Sequence, residues 1–312
     1  MPSVIQSALH PAGVQAARIG DLWWLLFWLC AVVYVLVLVA LAVAMRRRHD
    51  ADPASDRRLT ASVAAASAIT VVVLFGVLFA SVSTGRAIGS LGGPDALTVE
   101  ITGSQWWWDV VYDHPNPSLR VTSANELRIP VGRPVAVVLK STDVIHSFWV
   151  PRLHGKIDLI PGRSNTIWIR ADTPGIYRGQ CAEYCGLQHA NMAFAVIAES
   201  SDDFERWIVA QRQPAPEPTT APQQRGKDIV ERGPCAMCHT VRGTLAGGRT
   251  APDLTHVATR STIAAGAAPN TPGYLAGWIA DPQHLKPGTR MPSTGLSGSD
   301  LQAVLAYLET LR

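Results

Sequence analysis

The 312 residues contain five cysteines, and four of them stand in two pairs that keep company with histidine. The first pair belongs to the run Cys181-x3-Cys185-x3-His189-x2-Met192. Two thiols, an imidazole and a thioether form a soft donor set that favours copper, since zinc rarely takes a methionine ligand. A further imidazole is available upstream, in Asp143-Val144-Ile145-His146-Ser147-Phe148. Taken singly, Cys-x3-Cys reads equally as a disulfide or a chance pair, and a lone Met as core. Taken together these donors point to a metal. The second pair, Cys235-Ala236-Met237-Cys238-His239, is the attachment signature of c-type haem. Its thiols would form thioethers and His239 would ligate the iron. Cys-x-x-Cys also serves redox dithiols and zinc ribbons, but no βαβ pattern surrounds this one and no cysteine follows Cys238. Cys30 stands alone in an apolar run and reads as a small packing residue.

These donors need elements to hold them. The chain is 47% hydrophobic and only 16% charged, and its formal net charge of +3 is too small to argue for nucleic acid. The apolar mass excludes a disordered chain. Two uncharged runs, 22–45 and 59–85, each exceed the ~20 residues that cross a hydrocarbon core and read as transmembrane helices. Five arginines, at 46, 47, 48, 57 and 58, lie between them, which places that loop in the cytoplasm and everything from about Ile88 outside. Residues 1–20 lack the apolar core of a signal peptide, so no cleavage is expected.

From Leu97 to Glu199 short β-branched runs such as 97–101, 135–139, 166–169 and 193–197 alternate with turn clusters, the pattern of a β-sandwich or barrel spanning 91–211. Residues 212–224, rich in proline, read as a spacer, and 225–312 as mostly helical. There Ser297, three residues before Asp300, starts a helix whose apolar positions include Leu301, Val304, Leu305, Leu308 and Leu311. Met291 is the one methionine after His239 and becomes the sixth iron ligand by elimination, with His256 and His284 as competing candidates. A methionine ligand raises the potential relative to two histidines. Residues 90–211 carry 10 basic and 13 acidic side chains and 225–312 carry 9 and 6, so the two domains have opposite net charge, which would favour their docking.

Residues ~20–205 resemble subunit II of the haem–copper cytochrome c oxidases, on the Cys181/Cys185/His189/Met192 run with His146 upstream. The order of haem motif, Met291 loop and final helix resembles class I cytochrome c, as do Pro252-Asp253-Leu254 and Leu275-Ala276-Gly277-Trp278-Ile279. The resemblance implies a multi-domain membrane protein: a two-helix transmembrane hairpin within 1–90, a cupredoxin-like β-barrel, and an all-α cytochrome c domain, similar to the caa3 type. It implies a dinuclear CuA centre bridged by Cys181 and Cys185, with His146 and His189 on one copper each. Met192 and the Glu183 carbonyl complete the set, and the Glu183 side chain would hold Mg2+ shared with subunit I. In Gln105-Trp106-Trp107-Trp108-Asp109 it marks Trp106 as an exposed aromatic through which electrons enter. Trp107 and Trp108 read as well as packed strand residues. It further implies partnership with subunits I and III, an external donor such as a cytochrome c or a bc1-type complex, and membrane lipid. The implied place is a bacterial cytoplasmic membrane, with both metal domains periplasmic. The implied function is electron input by covalent haem c and CuA to subunit I, for O2 reduction coupled to proton translocation. The sequence departs from the family at the start of the second helix, where Asp56 stands in a region in which many members carry a proton-channel glutamate. The electron-input subunit of a CuA-containing nitric oxide reductase and a free-standing membrane-anchored carrier are the competing functions.

Overall fold

The computed structural model describes residues 5–46, 53–89 and 96–312. Helices α1 (Val14–Arg46) and α2 (Pro53–Gly89) contain the two apolar runs and extend beyond both. At ~1.5 Å rise per residue each exceeds the ~30 Å of a hydrocarbon core. Their apolar side chains lie open, Trp28 at 61% and Phe79 at 78% exposed. Apolar surface of this kind is suited to a membrane rather than water. The described residues up to Ala16 and from 96 onward form one compact unit, and those between form another.

The β-domain is two five-stranded sheets. One runs β3-β2-β1-β5-β8 and the other β4-β10-β9-β6-β7. The strands of the first are β1 (Leu97–Ser104), β2 (Trp107–Tyr112), β3 (Val121–Ala124), β5 (Val135–Ser141) and β8 (Asn165–Ile169). Those of the second are β4 (Glu126–Pro130), β6 (His146–Trp149), β7 (Ile157–Leu159), β9 (Gly175–Cys181) and β10 (Ala193–Glu199). Side chains alternate across each strand, so Trp108, Val110 and Tyr112 of β2 face inward while Trp107 and Asp109 face out. Trp108 packs on Phe194 at 5.1 Å, and Phe194 stacks on Phe148 at 4.7 Å. This aromatic layer forms the floor beneath the loop that carries Cys185, His189 and Met192. The core pairs Leu127, Ile129, Val137 and Leu139 of the two sheets without exposure. Helix α3 (Ser201–Gln211), capped by Ser200, lays Phe204 and Ile208 against this core.

The sequence did not anticipate the strap formed by residues 5–16. Arg178 N–H donates to Ile5, Ala12 N–H to Arg152 and Asp172 N–H to Ala12, all at 2.8–3.0 Å. Gln15, wholly buried, donates to the Trp168 carbonyl. The chain ahead of the first apolar helix is thus tied to the β-domain by backbone hydrogen bonds.

The C-terminal domain packs α4 (Ala221–Arg232) against α7 (Gly298–Leu308), with α5 (Pro272–Ala280), α6 (Pro282–Leu285) and the short hairpin β11 (Thr262–Ile263) and β12 (Ala268–Pro269) completing it. Ser297 caps α7 by accepting from Asp300 N–H, as the sequence predicts, and Val304, Leu305, Leu308 and Leu311 are buried. The proline-rich stretch is not a free spacer. Thr220 and Gln223 form a capping box that starts α4 at Ala221. Ala215 is buried, its N–H donating to Arg242 at 2.9 Å, and the Arg242 guanidinium donates to the Gln211 carbonyl. Proline fixes the backbone in advance, so laying such a segment against a domain costs little further entropy.

Candidate metal centres

The first centre lies where the second sheet ends. Cys181 closes β9, and Cys185, His189 and Met192 follow on the loop to β10. His146 opens β6, the neighbour of β9, where Phe148 is opposite Cys181. Bonds from Ala182 N–H to Ser147 and from Cys181 N–H to Met192, at 3.0 and 2.9 Å, tie the loop to both strands. The donors converge. Cys181 and Cys185 Sγ are 3.6 Å apart, Cys181 Sγ and His146 Nδ1 3.9 Å, Cys185 Sγ and His189 Nδ1 3.7 Å, and Cys185 Sγ and Met192 Sδ 3.8 Å. The Glu183 carbonyl oxygen is 3.2 Å from Cys181 Sγ. Both cysteines are free, and 3.6 Å far exceeds the ~2.05 Å of a disulfide. Two donors on one metal, bonded at about 2.0–2.3 Å with near-tetrahedral angles, lie about 3.3–3.8 Å apart, so these separations fit metal ligation. His146, Cys181 and Cys185 form the one metal-capable His/Cys/acid cluster among the described residues.

Electrostatics agree. The Cys185 thiol hydrogen-bonds the Cys181 sulfur and holds Cys181 far below the ordinary thiol range, and the same partnership pushes Cys185 far up. Without metal the pair keeps one proton that a cation would displace. His146 is wholly buried, and its Nε2 lies 2.8 Å from Asp143 Oδ1, turning Nδ1 toward the sulfur. A carboxylate behind a ligand histidine fixes its tautomer and orientation. Asp143, which the sequence reading did not single out, also accepts from Gln105 and Val144 N–H at 2.8 Å. Its place three residues before His146 was the available signal. The Glu183 carboxylate, 44% exposed, pairs with Lys156 at 3.2 Å.

Trp106 differs from expectation in one respect. Its indole N–H donates to the Cys185 carbonyl at 3.0 Å, adjacent to the site, but the ring is only 8% exposed. The C-terminal domain covers it. Lys286, itself 2% exposed, donates to the carbonyls of Trp106 and Asn191 at 2.7 Å and of Ala264 at 2.9 Å. Burial pushes the Lys286 ammonium down to about 7, yet three acceptors require three N–H donors, so the protonated amine is the form that fits.

At the second centre, Cys235 and Cys238 sit on the turn Pro234–Met237 and just after it, and His239 N–H returns to the Cys235 carbonyl at 2.9 Å. His239 Nδ1 lies 2.7 Å from the Pro252 carbonyl, and burial pushes its imidazole down, so the neutral ring donates from Nδ1 and leaves Nε2 for iron. Two free thiols and an oriented imidazole fit a covalent haem. His256 does not suit the sixth position, because Nδ1 meets the Arg312 carbonyl at 2.8 Å and Nε2 the Gln213 carbonyl at 3.2 Å. Met291, on the segment after α6, has its carbonyl held by Gln283 at 3.0 Å. His284 lies within α6.

A soft-donor copper site on a cupredoxin-like sandwich, a c-type haem site on a helical domain and two apolar helices together define a membrane-anchored electron-transfer protein. Residues 116–199 match the family described as cytochrome c oxidase subunit II, periplasmic domain, and 223–312 match cytochrome c. The cytochrome c oxidase subunit 2 of Alkalihalophilus pseudofirmus is 35% identical over 317 residues, covering 98% of this chain and 91% of the relative. That of Bacillus subtilis is 30% identical over 229 residues, 70% of this chain and 63% of the relative. The periplasmic domain of subunit II of the Bradyrhizobium japonicum cytochrome oxidase is 32% identical over 39% of this chain and 96% of that one, with a TM-score of 0.36. The chain belongs to the cytochrome c oxidase subunit II family and carries a C-terminal cytochrome c domain. It is thus a subunit of a haem–copper terminal oxidase, with two membrane-spanning helices ahead of periplasmic copper and cytochrome domains.

Proposed function

We propose that this chain is the electron-input subunit of its oxidase, with a haem c on Cys235, Cys238, His239 and Met291 and a dinuclear copper centre on His146, Cys181, Cys185, His189, Met192 and the Glu183 carbonyl. When bound, these groups supply reversible one-electron transfer from an external donor toward subunit I, where O2 reduction coupled to proton translocation takes place. The observation that carries this reading is the division of the donors into two sets about one sulfur pair. Cys181 neighbours His146 and the Glu183 carbonyl, while Cys185 neighbours His189 and Met192. Two sets sharing two thiolates provide for two metals rather than one.

The chain's own residues bind and orient. Asp143 fixes the His146 tautomer, Pro252 that of His239, and the floor of Trp108, Phe148 and Phe194 excludes water. Trp106, bonded to the Cys185 carbonyl beneath the cytochrome domain, is the candidate route by which electrons reach the copper centre. The Glu183 carboxylate, reaching outward to Lys156, is the candidate for Mg2+ at the subunit I boundary. The copper domain would span 91–211 and the cytochrome domain 225–312, with the docked segment between them. Metal analysis and electron paramagnetic resonance on the haem-loaded full chain test it. Two coppers per chain sharing one unpaired electron are expected, and one copper per chain refutes the dinuclear assignment.

A further inference from the structure

We propose that Lys286 is a positioning residue: it clamps the segment leading to Met291 onto Trp106 and the copper-ligand loop, so that the cytochrome domain is held in one pose over Trp106. This rests on the functional reading above. The ammonium stands between three backbone carbonyls from three separate places. Trp106 lies between β1 and β2, Asn191 lies between the ligands His189 and Met192, and Ala264 lies in the hairpin of the cytochrome domain. An ammonium with 2% exposure is kept by its acceptors or not at all, because a buried charge without partners is costly.

The surroundings are built to the same end. Gln188 Nε2 donates to the Pro287 carbonyl at 2.8 Å, and Ala193 N–H donates to Ala265 at 3.0 Å. Ala264 and Ala265 have φ of 52° and 59°, a left-handed conformation that alanine rarely adopts, and their carbonyls are the acceptors for Lys286 and Ala193. Gly288, at φ 84°, passes so close to Leu187 and Trp106 that a Cβ would sit 3.1 Å from Leu187 Cδ2 and 3.6 Å from Trp106 Cη2. Beyond this contact the buried Glu126 carboxylate accepts from Ser261 N–H and Oγ at 2.7 and 2.6 Å. The ring beside Cys185 is thereby reserved for the chain's own cytochrome domain, and an external donor meets that domain instead.

The test uses the cofactor-loaded full chain and two variants. Lys286→Met keeps the length and removes the charge and all three donors. Gly288→Val leaves Lys286 in place and strains the segment, because a β-branched residue disfavours φ 84° and its Cβ would crowd Leu187 and Trp106. The first readout is hydrogen exchange at the amides of Ala193 and Ser261, which are bonded across the contact and report on it directly. The second is the haem-to-copper transfer rate after flash reduction, taken with both midpoint potentials. Either folded variant is expected to exchange these two amides about tenfold faster or more, the factor that one lost hydrogen bond to a charged donor commands. Transfer is expected to slow by a similar factor with both potentials unchanged. If Lys286→Met folds poorly, Gly288→Val carries the test. Wild-type exchange and transfer rates in the folded variants overturn the clamp. A wild-type chain that shows no haem-to-copper transfer overturns the functional reading, and the exchange data then still decide the clamp.

Discussion

Asp109 supplies the sharpest pH prediction. It projects from the outer face of β2, half-buried beneath the cytochrome domain, and its carboxyl is raised from 3.8 to about 6. Burial is the largest cause, followed by repulsion from Asp253 across the contact and from Glu100 on the neighbouring strand, with Arg260 opposing. A carboxyl raised on folding binds its proton more tightly in the folded state. Its ionisation therefore costs nothing below the unfolded value near 3.8 and destabilises increasingly up to about 6, with the full penalty above. About two units correspond to about 3 kcal/mol, and the remaining solvent access reduces this to about 1–2 kcal/mol. Asp109→Asn removes the charge at nearly constant shape. At pH 7.5 the variant should melt about 3–6 °C above wild type in the unit that holds both domains, at equal cofactor loading. The gap should shrink steadily as the pH falls toward 4.5. A variant less stable than wild type at pH 7.5, or a gap that ignores pH, refutes the argument.

Other perturbations follow from single contacts. Asp143→Asn keeps an acceptor but loses the carboxylate behind His146, and should weaken copper binding about 10–100-fold in a competition titration. Gly226→Ala drives a Cβ into the Ala303 carbonyl oxygen where α4 crosses α7, and should cost about 1–3 kcal/mol of cytochrome-domain stability by thermal melting. Cys185→Ser removes the sulfur near both His189 and Met192, and should abolish the shared-electron copper signal while leaving the haem spectrum intact.

What was legible in the sequence was whatever local pattern encodes. The apolar runs of α1 and α2, the β-branched and aromatic runs of β1, β5, β8 and β10, and the Ser297 cap are all local signals, and each element forms where expected. The donor run from Cys181 to Met192 is equally local, because one loop carries it. His146 was legible as an available upstream imidazole, but its place beside the thiols was not, since β6 meets β9 by a long-range pairing that no spacing announces. The cover over Trp106 was illegible for the same reason. Lys286 looks like any surface lysine, and its burial follows from contacts about 95 and 180 residues away in the chain. The strap at 5–16 has no periodicity, because its backbone bonds do not depend on side-chain type.

The contact between the domains also changes the meaning of their opposite charges. Net −3 and +3 suggested electrostatic attraction between tethered partners, which salt would screen. Yet the charges that touch are mostly out of the solvent. Lys286 is 2% exposed and is held by backbone carbonyls, and Glu126, 5% exposed, accepts from Ser261 and faces the buried Arg260 of the other domain. One ion pair at the rim, Arg290 with Asp143 at 3.3 Å, has its arginine 68% exposed and contributes little. Salt acts on charges that water surrounds, so it should alter how fast a separated cytochrome domain returns and leave the docked pose alone. Haem-to-copper transfer in the wild-type chain should therefore change less than about twofold between 20 mM and 500 mM salt, whereas bimolecular association steered by surface charge falls steeply over such a range. In Lys286→Met, where re-docking would precede each transfer, the same change in salt should slow the rate. A steep salt dependence in the wild type would show that the domains separate between transfers and that surface charge, rather than the buried ammonium, brings them together.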